Sequence, residues 1–196
     1  MADFKKAPVT VIIAVMTILV FLVEILLSHG QPDNVFFLVK FGAKYGPYIT
    51  QEHQYWRLLT PLLIHLSWSH LILNILTLWF LGLMIEPLFG SIRFLLIYLI
   101  GGLGGNLLSY WLAPQAISAG ASSAIFGLLG ALLIYIGYQG RHNSALKTQR
   151  QTFLVFVVLN LVGDLFTPSI DFWGHLGGLV SGMILAIVMF YQRRIQ

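Results

Sequence analysis

The residues able to do chemistry in this chain are few, and they sit in apolar surroundings. Ser122 and Ser123 open a hydrophobic segment within "GASSAIFG", His175 lies in "WGHLGGLVSG", and His70 precedes Asn74 by one helical turn in "HLSWSHLILN". A serine hydroxyl becomes a nucleophile when a base takes its proton, and imidazole titrates near working pH. Serine, histidine and spare hydrogen-bond donors together outline acyl transfer to water, which on a protein substrate is peptide hydrolysis. Cysteine is absent, which excludes disulfides, thiolate catalysis and Cys-ligated metal.

The elements that must position these residues are membrane helices. Of 196 residues, 58% are hydrophobic and 9% charged, against a usual charged share of about a quarter. Mean hydropathy is +0.84. A soluble domain of this size cannot hide so much apolar surface, so an all-α polytopic membrane protein is expected. Six segments approach the roughly 20 apolar residues needed to span: 8–28, 67–85, 91–112, 122–138, 151–166 and 173–191. The first is too long for a signal-peptide core and is expected to stay as a helix. The stretch 29–66 mixes Phe36, Phe37, Tyr45, Tyr48, Tyr55 and Trp56 with polar residues, as an interfacial segment does. No internal repeat or second domain is evident, so residues 1–196 read as a single membrane domain.

Basic residues set the orientation, and the net charge of +4 therefore points to topology and not to nucleic acid. With the N-terminus inside, Lys5, Lys6, Arg93, Arg141, Lys147, Arg150, Arg193 and Arg194 face the cytoplasm. Only Lys40, Lys44 and Arg57 face outward. Both termini are expected in the cytoplasm.

Ser122, His175 and His70 each stand 16 residues before an inner helix end, at Tyr138, Tyr191 and Glu86. At about 1.5 Å per residue that is roughly 24 Å above the inner boundary, a few Å below the outer surface of a core about 30 Å thick. Asn74 lies one turn deeper on the face of His70. A lone serine or histidine in a membrane helix is ordinarily a packing residue, but several at one depth favour a site. Ser122 also falls in the first turn of its helix, where unpaired N–H groups and the positive dipole end suit a developing oxyanion. Gly174, Gly178 and Gly182 repeat every four residues, as do Ser123, Gly127 and Ala131. Such small-residue faces let two helices approach closely and bring Ser122 to His175. Ser123, about 100° round the helix from Ser122, falls on the packing face.

Here a resemblance becomes specific. "GASSAIFG", with Gly120 and Ser122, resembles the G-x-S-G segment of the rhomboid family of intramembrane serine proteases. "WGHLGGLVSG" is similar to that family's histidine segment, His70 and Asn74 to its H-x-x-x-N element, Trp56 and Arg57 to its Trp-Arg pair, and "GLMIEPLFG" to its Glu region. The resemblance implies a six-helix bundle with Ser122 as nucleophile and His175 as general base. It makes His70, Asn74 and the Ser122 amide the oxyanion donors, with Phe126, Gly120, Gly178, Gly182, Trp56 and Arg57 in support. The family usually has Gly where Ser123 stands, and often Tyr where Phe126 stands; Phe126 can still stack on the imidazole. Asp164 and Asp171, near the outer end of the fifth segment and in the loop after it, read as solvated residues in preference to a third catalytic member that would orient His175. Glu24 near the outer end of the first helix snorkels or bonds to the loop, and "GGLGG" at 101–105 reads as flexibility or close packing.

Rival chemistries fit worse. A zinc protease needs H-E-x-x-H, whereas His65 and His70 are five apart with no acid between. "LVGD" lacks the G-x-G-D form of an aspartyl intramembrane protease. A transporter would show pseudo-symmetric halves. A catalytically inactive rhomboid-like membrane binding or quality-control protein remains the alternative. The expectation is an intramembrane serine endopeptidase acting on single-span membrane proteins in a lipid bilayer, without metal, cofactor or nucleic acid. The compact form suggests a bacterial inner membrane.

Overall fold

A computed structural model describes residues 6–139 and 144–192. Lys5, Arg141, Arg193 and Arg194 of the inward basic set lie outside the described residues, as do the outermost residues of the expected 1–196 domain. The described chain is helical apart from one antiparallel bridge between Lys44 and Ser118. The long helices are α1 (Pro8–Leu27), α4 (Trp68–Phe89), α5 (Ser91–Leu112), α6 (Ser122–Gln139), α7 (Ser144–Leu165) and α8 (Phe172–Gln192). Between α1 and α4, the interfacial stretch folds into α2 (Val35–Phe41), α3 (Gly46–Gln51) and two short 3₁₀ turns.

Helices α1 and α4 begin where the sequence provides for unpaired N–H groups. Pro8 opens α1 with a preset φ and no donor to satisfy. The next donors, Val9 and Thr10 N–H, go to the Glu86 carboxylate at 3.0 and 2.8 Å, and the Thr10 and Ser91 hydroxyls also donate to it. Glu86 thus neutralises the positive end of α1 from the foot of α4. Ser67 caps α4 by accepting from the His70 N–H at 3.1 Å.

Among the described residues, α1, α4, α5, α6 and α8 are long and apolar enough to cross a membrane, which makes this a multi-pass membrane protein. The sixth expected span, 151–166, overlaps α7 as far as Leu165, but α7 does not reach that apolar length. Lys147, Gln149, Arg150 and Gln151 continue the helix below its apolar run. Helix α6 is the centre of the bundle: 67% of its span is buried, against 33–39% in the other four. It packs on α8 and α5 through glycine. A Cβ on Gly178 would strike the Ser123 carbonyl, one on Gly182 the Gly127 carbonyl, and one on Gly101 would lie 2.8 Å from Gly127 Cα. The "GGLGG" of α5 is therefore packing surface: Gly102 meets Leu62, Gly104 meets Ser181, and Gly105 meets Ser123 and Gly174.

Candidate active site

The backbone leading into Ser122 is clamped before α6 begins. Lys44 and Ser118 exchange N–H···O bonds of 2.8 and 3.1 Å, and the Gly120 N–H donates to Pro61 O at 2.8 Å. Gly120 has φ +131°, and a Cβ there would stand 2.7 Å from the His70 ring. Only glycine satisfies both the left-handed backbone and the close imidazole. His70 is thereby held against the chain just ahead of Ser122.

The start of α8 is fixed by a partly buried charge network. Asp171 Oδ1 accepts from the Gly174 N–H at 2.9 Å, and its Oδ2 accepts from the Ser109 hydroxyl at 2.5 Å. Ser109 in turn accepts from Lys44 Nζ at 2.9 Å, and Lys44 also donates to Ala113 O at 3.0 Å. Lys44 is fully buried; burial pulls its ammonium below the usual lysine range and the Asp171 charge opposes that. This network sets the first turn of α8, on which His175 stands.

From these two anchors, Ser122 Oγ and His175 Nε2 come 2.7 Å apart. Phe126, one turn along α6, stacks on the imidazole with ring centroids 4.4 Å apart and 16° between planes. Ser123 is buried and packs against Gly105, Gly174 and Gly178. His70 and Asn74 line the same cleft as Ser122 and His175, a space of about 450 Å³ between α4, α6 and α7. Asn74 Nδ2 donates to His70 O at 2.9 Å, which leaves it a second N–H.

Asp164 corrects the expectation of a solvated acid. It is 7% exposed, and its Oδ2 lies 2.7 Å from His175 Nδ1. Asp171 is likewise engaged, as the cap of α8. The expectation failed because a loop position in sequence said nothing of how α7 and α8 close on each other. A signal was available: Phe156, Asn160 and Asp164 recur every four residues, so two polar side chains share one α7 face that lines the cleft. An ionisable residue at the end of an expected membrane span is a functional candidate by default.

Other expected residues act at a distance from the serine. Trp56 and Arg57 are not among those lining the cleft. The Arg57 guanidinium donates to Val39 O, Ala43 O and Gln54 Oε1 at 2.6, 2.9 and 2.6 Å and lies against the Trp56 and Tyr48 rings, so the pair knits the interfacial segment together. Glu24 bonds to that segment too: its Oε2 accepts from the His65 N–H at 3.1 Å. Gly178 and Gly182 form the α6–α8 contact. No group of three or more His, Asp or Glu side chains able to hold a metal occurs among the described residues.

A sequence profile described as the rhomboid domain matches residues 52–192. The chain belongs to the rhomboid family. It is similar to Rhomboid protease GluP of Bacillus subtilis, 42% identical over 90% of this chain and 34% of the relative. It is also similar to Rhomboid-like protease 3 of Toxoplasma gondii, 32% identical over 94% of this chain and 69% of the relative. RHOMBOID-like protein 2 of Arabidopsis thaliana is 40% identical over 79% of this chain and 49% of the relative. The chain thus spans only a third of the Bacillus rhomboid's length and about half of the Arabidopsis one.

Proposed function

We propose that this rhomboid is an intramembrane serine endopeptidase that hydrolyses peptide bonds in or near the transmembrane segment of single-span membrane proteins. The observation that carries this reading is the 2.7 Å contact between Ser122 Oγ and His175 Nε2 inside a cleft between membrane helices. The family membership and the two relatives named as proteases support it.

In this reading His175 Nε2 takes the Ser122 proton as Oγ attacks the scissile carbonyl. The carbonyl oxygen becomes an oxyanion facing His70, Asn74 and the Ser122 N–H. His175 then returns the proton to the departing amine, leaving an acyl-serine. Water, deprotonated by the same nitrogen, attacks the ester and releases the acid. A substrate helix must unwind locally first, because its carbonyls are held in its own hydrogen bonds. By family resemblance, small residues at the cut and helix-weakening residues nearby favour cleavage. We read residues 1–196 as a single domain with α7 as the sixth span, both termini cytoplasmic, and a bacterial inner membrane as its setting. None of these steps needs a metal or cofactor.

The test is cleavage of a labelled single-span substrate in detergent by wild type, Ser122→Ala, Ser123→Ala and His175→Ala, with a serine-directed phosphonate as active-site label. The expected pattern is cleavage and labelling by wild type and Ser123→Ala, and neither by the other two. Absence of wild-type cleavage on several substrates, together with no phosphonate labelling, would instead mark an inactive rhomboid-like binding protein. Sensitivity to EDTA would favour a metalloenzyme.

A further inference from the structure

The geometry points to a Ser122–His175–Asp164 triad, in which Asp164 on α7 is the positioning residue for the imidazole. This rests on the proposed protease reading and adds to it a member beyond the Ser–His pair. Asp164 Oδ2 lies 2.7 Å from Nδ1, and Ser122 Oγ lies 2.7 Å from Nε2 of the same ring. An ionised carboxylate can only accept, so the proton must sit on Nδ1 and leave the Nε2 lone pair for the serine hydroxyl. The nucleophile needs that tautomer, and the carboxylate also stabilises the imidazolium formed when Ser122 loses its proton.

Three observations separate this contact from incidental burial. The Asp164 side chain is 6% exposed, and its ion-pair partner among the described residues is His175. A buried carboxylate without lysine or arginine is costly for a helix end to retain. Asp171, the other acid lining the cleft, is engaged elsewhere, accepting from the Gly174 N–H and the Ser109 hydroxyl, while Nδ1 is met by Asp164. Phe126 stacks on the ring face, which leaves the in-plane edge at Nδ1 to the carboxylate. Stacking fixes the plane of the imidazole, and Asp164 fixes its rotation within that plane and its proton.

The experiment compares wild type, Asp164→Asn, Asp164→Glu and Asp164→Ala of the full chain on a labelled single-span substrate, with Ser122→Ala as control. Asparagine keeps the shape but can present an N–H to Nδ1, which favours the wrong tautomer. A kcat loss of about 10²- to 10⁴-fold is expected for Asp164→Asn, with KM and melting temperature close to wild type. Asp164→Glu should recover part of kcat. Wild-type kcat in both Asp164→Asn and Asp164→Ala would overturn the triad while leaving the Ser–His reading intact. Cleavage by Ser122→Ala would overturn Ser122 as the nucleophile, and with it the Ser–His reading on which the triad rests. If the Asp164 variants do not fold, nitrogen NMR of histidine-labelled wild type decides. The signal lost in His175→Gln should be the Nδ1–H tautomer, and an Nε2–H tautomer there would overturn the proposal.

Discussion

Gly178 on α8 lies directly against the Ser123 carbonyl on α6, so the two helices that carry His175 and Ser122 meet backbone to backbone. The contact is one residue from the serine and one turn from the histidine. A side chain there must part the helices at the point that sets the Ser122–His175 distance. Gly178→Val is expected to cost about 1–3 kcal/mol by overpacking, and to reduce cleavage more than the loss of folded protein accounts for. Cleavage assays normalised to folded protein by melting curves in detergent check this. Normal specific activity in a well-folded Gly178→Val variant would count against close packing as the device that assembles the site.

Gly120 tests the other side of the cleft. Its φ of +131° and the nearby His70 ring both oppose a Cβ. In Gly120→Ala the strained backbone costs about 1–3 kcal/mol, and relief comes by pushing His70 away from the approach to Ser122. If His70 serves the oxyanion, kcat should fall about 10²-fold, as when one oxyanion donor is lost, with little change in KM. A variant that labels with phosphonate and cleaves at the wild-type rate would remove His70 from that role.

Lys44 makes a prediction about the frame around the site. It is a buried cation joined through Ser109 to Asp171, the cap of the helix that bears His175. Removing Lys44 leaves Ser109 and the half-buried Asp171 without the cation that faces them, so Lys44→Met should destabilise by about 1–3 kcal/mol. Removing both charges, in Lys44→Met with Asp171→Asn, should cost less than the sum of the two single variants. Denaturation of the four proteins in one detergent gives the coupling. Strict additivity would mean the network carries no shared energy.

How much of this could be read from sequence depends on which force sets each feature. The limits of α1, α5 and α6 fall within a residue of their expected ends, because there the apolar run and the hydrogen-bonded helix coincide. For α7 they do not: the helix starts at Ser144, seven residues before the apolar run, since hydropathy reports what lipid can solvate and not where the backbone ladder begins. The short helices α2 and α3 are too brief to show a period. The approach of Ser122 to His175 was legible as a shared depth on helices with glycine faces. The engagement of Asp164 and Lys44 was not, because it depends on the α7–α8 turn and on a loop folding across the bundle. Those are tertiary choices that residue type alone leaves open.

His65 supplies a pH prediction. It lies in the segment before α4, fully buried, with its ring 5.1 Å from that of His70 and its N–H on Glu24. Burial, and next the charge of His70, pull its pKa down to about 3. In the unfolded chain histidine titrates near about 6.5, so between these values the unfolded state binds the extra proton. Stability from the neutral ring is therefore complete above about pH 6.5 and drains away as pH falls toward 3. Between pH 7 and pH 5.5 this amounts to about 1 kcal/mol. His65→Gln has no such proton to bind. The difference in melting behaviour between wild type and His65→Gln, which cancels titration of groups common to both, should move against wild type on acidification. A difference independent of pH across that window would mean that the ring is not held neutral by burial.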